Sequence, residues 1–372
     1  MQFASDNWAG AAPEIVEAVT REAALAGDAY GESAIDAATE ARFSEIFERD
    51  VAIFLVGTGS VANGLAMAAV NRPGGVIFCH RESHLMEDEC GGVEYLTGGA
   101  RLIGLDGPVG KLDPDGLRRA VSRFEPGMVH AGQPMAVSIT QQNEAGGIYR
   151  VAEIAEIASV TRERRLPLHM DGSRFANALV HLGVSPAEMT WKTGVDILSF
   201  GATKNGCVGA EALVFFDREA AREAPYLRKR AGQLFSKSRF MSAQFMAYFA
   251  NGLWLRLAAH ANAMADRLRA GIASASDARV AWPTHGNEVF AVIGRAAAAR
   301  LRKAGASFHD WPEPHGAALD LAPDECLVRL VTAFSTRPDE VDLFVQQLGA
   351  GTKTPRTNRG AVISSKQSGA AG

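Results

Sequence analysis

Cysteine is scarce in this chain, which holds only Cys79, Cys90, Cys207 and Cys326. No two of them are spaced as CxxC, so neither a zinc site nor a redox couple is signalled. Sparse, scattered thiols fit a reducing compartment better than a disulfide scaffold. Long apolar runs are lacking too: no stretch reaches the roughly 18 uninterrupted apolar residues that suggest a membrane span. The first residues carry Asp6, Glu14 and Glu17 instead of a basic start and an apolar run. No signal peptide is read there, and the cytoplasm is the expected location. Positive charge is not in excess, since 38 Lys and Arg face 42 Asp and Glu for a formal charge of −4. A nucleic-acid surface is normally basic, so no nucleic-acid partner is expected.

What the chain does have is length and a regular rhythm. Its 372 residues exceed what one core usually serves, so two domains are expected. Short apolar runs at Val51–Val56, Val76–Cys79, Ala136–Thr140, Leu166–Met170, Asp196–Phe200 and Ala212–Phe216 alternate with helical patterns such as Val61–Val70 and Val151–Arg164. Strands alternating with helices predict an α/β fold around a mostly parallel sheet. Runs apolar on both faces, such as VAIFLV, suit strands covered by helices on both sides. After about Arg239 the rhythm changes. A long helical region from Met241 to Ala273, softly broken at Gly252, leads to strand-like runs at Val280–Trp282, Val289–Ile293 and Cys326–Val331. Two more helices are read at Ala296–Lys303 and from Arg337. The expected division is a large domain over 1–245, a smaller C-terminal α/β domain over 246–348, and a polar, disordered tail over 349–372.

Four segments carry residues suited to chemistry. In SFGATKNG (Ser199–Gly206) a strand ends and glycines surround Lys204. Ligands of open α/β sheets bind beyond the carboxyl ends of strands, and a lysine amine there can bond covalently to a carbonyl carbon. The plain alternative is a solvated turn lysine. In LHMDGSR (Leu168–Arg174) another apolar strand ends in Asp171, which could hold a proton on a heteroaromatic nitrogen or simply cap a helix. Gly57-Thr58-Gly59-Ser60 precedes the helix containing Asn63 and could cradle a phosphate on a helix N-terminus. As a motif it is also just a turn, and it matches neither GxGxxG nor GxxxxGK[ST]. In SHLMEDECGG, His84 could stack on a flat ring and move protons, while Glu87, Asp88 and Glu89 read as a solvated acidic face.

Taken in order, these segments resemble the threonine aldolase and β-eliminating lyase family of pyridoxal-phosphate (PLP) enzymes, and among them the low-specificity L-threonine aldolases. FASDNWAGAAPEI, GDAYG, HMDGSRFANAL, TWKTGVDILSFG, SFGATKNG and AGQLFSKSRFMSA carry the likeness, which runs from about residue 2 to 348. The resemblance implies PLP-dependent fold type I, with a mostly parallel seven-stranded sheet in the large domain. It implies PLP as cofactor, an amino acid as substrate, no metal, and assembly into at least a dimer. By the same resemblance Lys204 carries the cofactor, Asp171 pairs with its ring nitrogen and His84 lies on its face. Gly59, Ser60, Arg174 and Arg239 would help bind the cofactor. Ser5, Arg174 and Arg329 would hold the substrate carboxylate, a task suited to the planar guanidinium fork. His84 is the expected base. Ser173 stands where alanine is usual. The implied reaction cleaves the Cα–Cβ bond of a β-hydroxy-α-amino acid. β-Elimination is the alternative on the same scaffold, and a non-catalytic relative is a remoter one.

Overall fold

The computed structural model describes residues 1–315 and 319–350; the expected disordered tail lies outside the described residues from 351 onward. Seven strands form the first sheet: β1 (Ala52–Val56), β2 (Gly75–His80), β3 (Arg101–Leu105), β4 (Gln133–Thr140), β5 (Leu168–Gly172), β6 (Ile197–Gly201) and β7 (Glu211–Phe215). Their spatial order is β1-β7-β6-β5-β4-β2-β3. Only β7 runs against the others, pairing antiparallel with both β1 and β6. The mostly parallel, seven-stranded sheet expected above is therefore present. The sequence reading did not pick out β3, a partly exposed edge strand interrupted by Gly104.

One consequence of this topology governs the rest. The carboxyl ends of β1, β4, β5 and β6 and the beginning of β7 share one edge of the sheet, with Val56 and Gly201 both in register with Glu211. The loops leaving that edge carry Gly57–Ser60, Gln141–Asn143, Asp171–Arg174 and Thr203–Asn205.

A second, four-stranded antiparallel sheet has the order β10-β11-β9-β8. It comprises β8 (Ala278–Val280), β9 (Glu288–Gly294), β10 (His309–Asp310) and β11 (Glu325–Val331). The expected soft break at Gly252 is a sharp one. Asn251 and Gly252 both take left-handed backbone conformations, φ 51° and 66°, separating helix Arg239–Phe249 from helix Leu253–Ser274. The N-terminal residues cross to the second sheet, where the Phe3 N–H donates to Ser307 and its carbonyl accepts from Val331.

Apolar alternation on both faces buries the first sheet completely along β2, β5, β6 and β7. On one face an aromatic cluster gathers around Phe200, which is fully buried; its ring lies 5.5 Å from Phe43 and 5.4 Å from Phe175. Phe200 is the last large apolar residue before the Lys204 turn, so this cluster anchors the end of β6. Truncating a buried phenylalanine removes its transfer energy and leaves a cavity, at a cost of about 3–5 kcal/mol. Phe200→Ala is expected to lose that much, read as a lower urea midpoint with unchanged slope.

Among the described residues no helix is long and apolar enough to cross a membrane, and all four cysteines are free thiols.

Candidate active site

Two strand ends approach each other closely here, and glycine makes that possible. A β-carbon on Gly201 would stand 2.8 Å from the Ser173 backbone, and one on Gly172 would stand 2.8 Å from the Ser199 carbonyl. No larger residue fits either place, so β5 and β6 deliver Asp171 and the Thr203–Asn205 turn side by side. Gly206 closes that turn at φ 109°. The Asn205 amide fastens it from below, donating to Tyr248 Oη at 2.7 Å and to the Trp254 carbonyl at 2.9 Å. Lys204 between them is half-buried and makes no hydrogen bond or ion pair among the described residues.

Asp171 is not a helix cap: it lies inside β5, and the following helix begins after Arg174. Its carboxylate accepts from the Ser173 N–H at 3.0 Å and from Asn63 Nδ2 at 3.0 Å. Asn63 Nδ2 also donates to Glu89 Oε1 at 2.8 Å, and that oxygen lies 3.0 Å from His84 Nδ1. Glu89, read above as part of a solvated face, is buried; only Glu87 and Asp88 are exposed. The result is a continuous chain from His84 through Glu89 and Asn63 to Asp171. One ligand-type atom each from His84, Glu89 and Asp171 lies within 4.8 Å of the others. The Asn63 amide already bridges the two carboxylates, so the group works as a hydrogen-bonded relay. The hydrogen bond to Glu89, against burial and with help from Glu144 and Asp171, raises the His84 pKa above its ordinary value. Burial in turn raises the Glu89 carboxyl, only partly countered by His84 and Asn63.

Gly59 and Ser60 open the helix Gly59–Ala69, capped by Thr58, whose hydroxyl accepts from Val61 N–H. The first N–H groups of a helix lack internal partners and favour an anion.

Arg174 is buried and already engaged. Its Nε and Nη2 grip the two oxygens of Asp6 at 2.8 and 3.1 Å, and Nη2 lies 3.5 Å from Glu288. The two-pronged edge expected to hold a substrate carboxylate is thus committed to Asp6, leaving Nη1 with no hydrogen-bond partner among the described residues. Burial would raise the Asp6 carboxyl, but Arg174 and Lys204 outweigh it and hold it below the usual range. Glu288 begins β9 and accepts from Gln142 Nε2 at 3.0 Å, so the second sheet closes this side of the site. Burial, countered by Arg174 and Arg329, pushes its pKa up to about 6. Arg329, on β11, lays its guanidinium 4.0 Å over the Trp311 ring, and its Nε is buried with no hydrogen-bond partner among the described residues. Ser5 caps the short helix Asp6–Trp8 by accepting from the Asn7 N–H at 3.1 Å. Arg239 stands apart, with Nε 2.8 Å from Glu22 and Nη2 donating to the Leu25 carbonyl.

Lys204, Asp171, His84, Gly59 and Ser60 therefore share one sheet edge, while Arg174 and Arg329 meet around Glu288 at the joint with the second sheet. Sequence reasoning missed Asp6, Glu211 and Glu288; each is an acid buried at a strand or helix start, and buried acids need partners.

Comparisons with known proteins bear on the family and the fold. A low specificity L-threonine aldolase from Pseudomonas sp. (strain NCIMB 10558) is 38% identical over 316 residues, covering 85% of this chain and 91% of that one. The structure of a threonine aldolase from Leishmania major superposes with a TM-score of 0.86 at 27% identity, over 93% of this chain and 98% of that one. A rice TDC structure holding PLP and tryptamine shares the fold alone, at TM-score 0.73 and 12% identity, over 93% of this chain and 83% of that one. The fold is that of the PLP-dependent fold type I enzymes. The sequence profile of the beta-eliminating lyase family spans residues 2–295, and the chain belongs to that family.

Proposed function

We propose that this chain is a PLP-dependent aldolase that cleaves the Cα–Cβ bond of L-β-hydroxy-α-amino acids, L-threonine and L-allo-threonine among them, to glycine and an aldehyde. The observation that carries this reading is the delivery of Lys204 and Asp171 by adjacent strand ends, beside a helix N-terminus, the buried Arg174 and the half-buried Arg329. The similarity to the Pseudomonas enzyme over most of both chains supports it.

The residues present fit the cofactor. Arg174 Nη1, Arg329 Nε, Ser173 Oγ and Asn63 Oδ1 are buried polar atoms with no hydrogen-bond partner among the described residues. Such atoms are costly unless something satisfies them. Lys204 would hold PLP covalently, Gly59 and Ser60 its phosphate, and Asp171 its ring nitrogen. When bound, the group supplies a conjugated ring that accepts the electron pair left at Cα.

The protein's own part is orientation and proton control. Arg174 Nη1 and Arg329 hold the substrate carboxylate, and this grip fixes which bond at Cα is aligned for cleavage. Asp171 is held in place at its strand end by the hydrogen bonds from Asn63 and Ser173. His84, directly or through a water, takes the proton of the β-hydroxyl as the aldehyde departs.

The rival within the family is β-elimination, which the family's own description favours. Product analysis separates the two. Purified protein supplied with PLP and L-threonine is expected to yield glycine and acetaldehyde in equal amounts. Ammonia with a keto acid, in place of glycine, would replace the aldolase reading with the elimination one.

A further inference from the structure

Glu211 opens β7 and is buried, yet the reaction above gives it no part. Its position is defined by four neighbours. In the sheet it lies between Val56 of β1 and Gly201 of β6. Oε1 accepts from the Thr203 N–H at 3.3 Å, one residue before Lys204. Oε2 lies 3.9 Å from the point where a β-carbon on Gly59 would stand, at the N-terminus of helix Gly59–Ala69. A buried carboxyl thus faces both the lysine turn and the helix end assigned to a phosphate.

That placement poses an electrostatic conflict. A helix N-terminus favours an anion, and in the free protein the Glu211 carboxyl lies beside this one, with the Lys204 side chain nearby. A phosphate dianion at the same helix end would meet a like charge in a buried site, where repulsion is least screened. One of the two must give up its charge. Burial, only partly offset by the hydrogen bonds from Thr203 and by Lys204, already pushes the Glu211 pKa up to about 7. The carboxyl is therefore poised to accept a proton.

We propose that Glu211 takes up one proton from solvent when the phosphate of the cofactor binds, and that the neutral acid then remains as a hydrogen-bond donor at the phosphate cradle. This makes Glu211 a positioning residue that couples cofactor affinity to pH. The inference rests on the reading that PLP occupies this site, but not on which reaction follows. The titratable groups facing Glu211 are Lys204 and Cys207 on the connection to β7, Asp171 on β5 and Tyr248 on helix Arg239–Phe249. Burial holds the Cys207 thiol and the Tyr248 phenol well above their ordinary values, so neither titrates near neutrality. Strands β1 and β6 and helix Gly59–Ala69 bring no titratable side chain.

The test uses pyridoxine 5′-phosphate, which carries the phosphate but has no aldehyde to bond with Lys204. Calorimetric titration of the cofactor-free protein at pH 8, in two buffers of different ionisation heat, counts protons taken up on binding. With a free-state pKa near 7, wild type is expected to take up about 0.9 proton more than Glu211→Gln. Between pH 7 and 9 its Kd is expected to rise roughly 50-fold more than that of the variant. Inorganic phosphate at pH 8.5 repeats the count on wild type alone, where uptake near one proton is expected even if the variant fails to fold. Equal uptake in wild type and Glu211→Gln, or none with inorganic phosphate bound, overturns the inference and leaves the cofactor reading intact. No saturable binding of pyridoxine 5′-phosphate at any pH from 6 to 9 overturns both.

Discussion

Lys204→Ala is expected to lose more than about 10⁴-fold in kcat and to lose the visible absorbance that PLP gives the wild-type protein. Proton transfer by a positioned group is alone worth about 10²–10⁴-fold, and a covalent anchor adds to that. The fold is expected to survive the change. Lys204 makes no hydrogen bond or ion pair among the described residues, and the turn around it is held by Asn205 and by Thr203 N–H. Far-UV circular dichroism and the urea midpoint therefore separate loss of chemistry from loss of structure. A folded variant that keeps even one-hundredth of wild-type kcat would remove Lys204 from the position assigned to it. The same variant sharpens the reading of Asp6. Lys204 and Arg174 together hold that carboxyl down, so removing one cation leaves the pair with Arg174 to do it.

Lys204 and Asp171 were legible in the sequence because each follows a short apolar run and is flanked by glycine. That pattern places a side chain at a strand end, where open α/β sheets bind ligands. The partners of these residues were not legible. Asp6 and Arg174 are 168 residues apart and Asn287 and Asp6 are 281 apart, and spacing carries no trace of such pairings. Glu89 was misread because a run of three acids looks uniformly solvated, whereas the short helix His84–Glu87 ends before it and the chain beyond turns only Glu89 inward. The edge strand β3 escaped because half-buried residues and a glycine give it no clear period. The reversed direction of β7 could have been inferred. Only residues 202–210 separate β6 from β7, fewer than the dozen or more that a parallel crossover needs. That short connection is what turns the start of β7, and with it Glu211, back to the edge where Lys204 sits.

The second large effect falls on His84. His84→Asn is expected to lower kcat by about 10²–10⁴-fold while cofactor content stays near wild type. Asparagine keeps a group able to hydrogen-bond Glu89, so a purely structural contribution of the ring would leave turnover almost unchanged. Near-normal kcat in this variant would place the base elsewhere. The pH profile gives an independent check with a definite sign. A base must be unprotonated to act, so kcat should rise with pH as the imidazole loses its proton. The hydrogen bond to Glu89, helped by Glu144 and Asp171, outweighs burial and raises the His84 pKa. The acid limb should therefore lie above the ordinary histidine value of about 6.5. Glu89→Gln removes the largest of those stabilising contacts, so the limb should move to lower pH and leave the variant relatively more active in acid. A limb that stays in place would mean that the titrating group is not His84. Asn63 binds Glu89 and Asp171 through the same amide nitrogen, so Glu89→Gln should also weaken the hydrogen bonding of Asp171. Loss of plateau kcat in Glu89→Gln would then measure the relay, and displacement of its limb would measure the base.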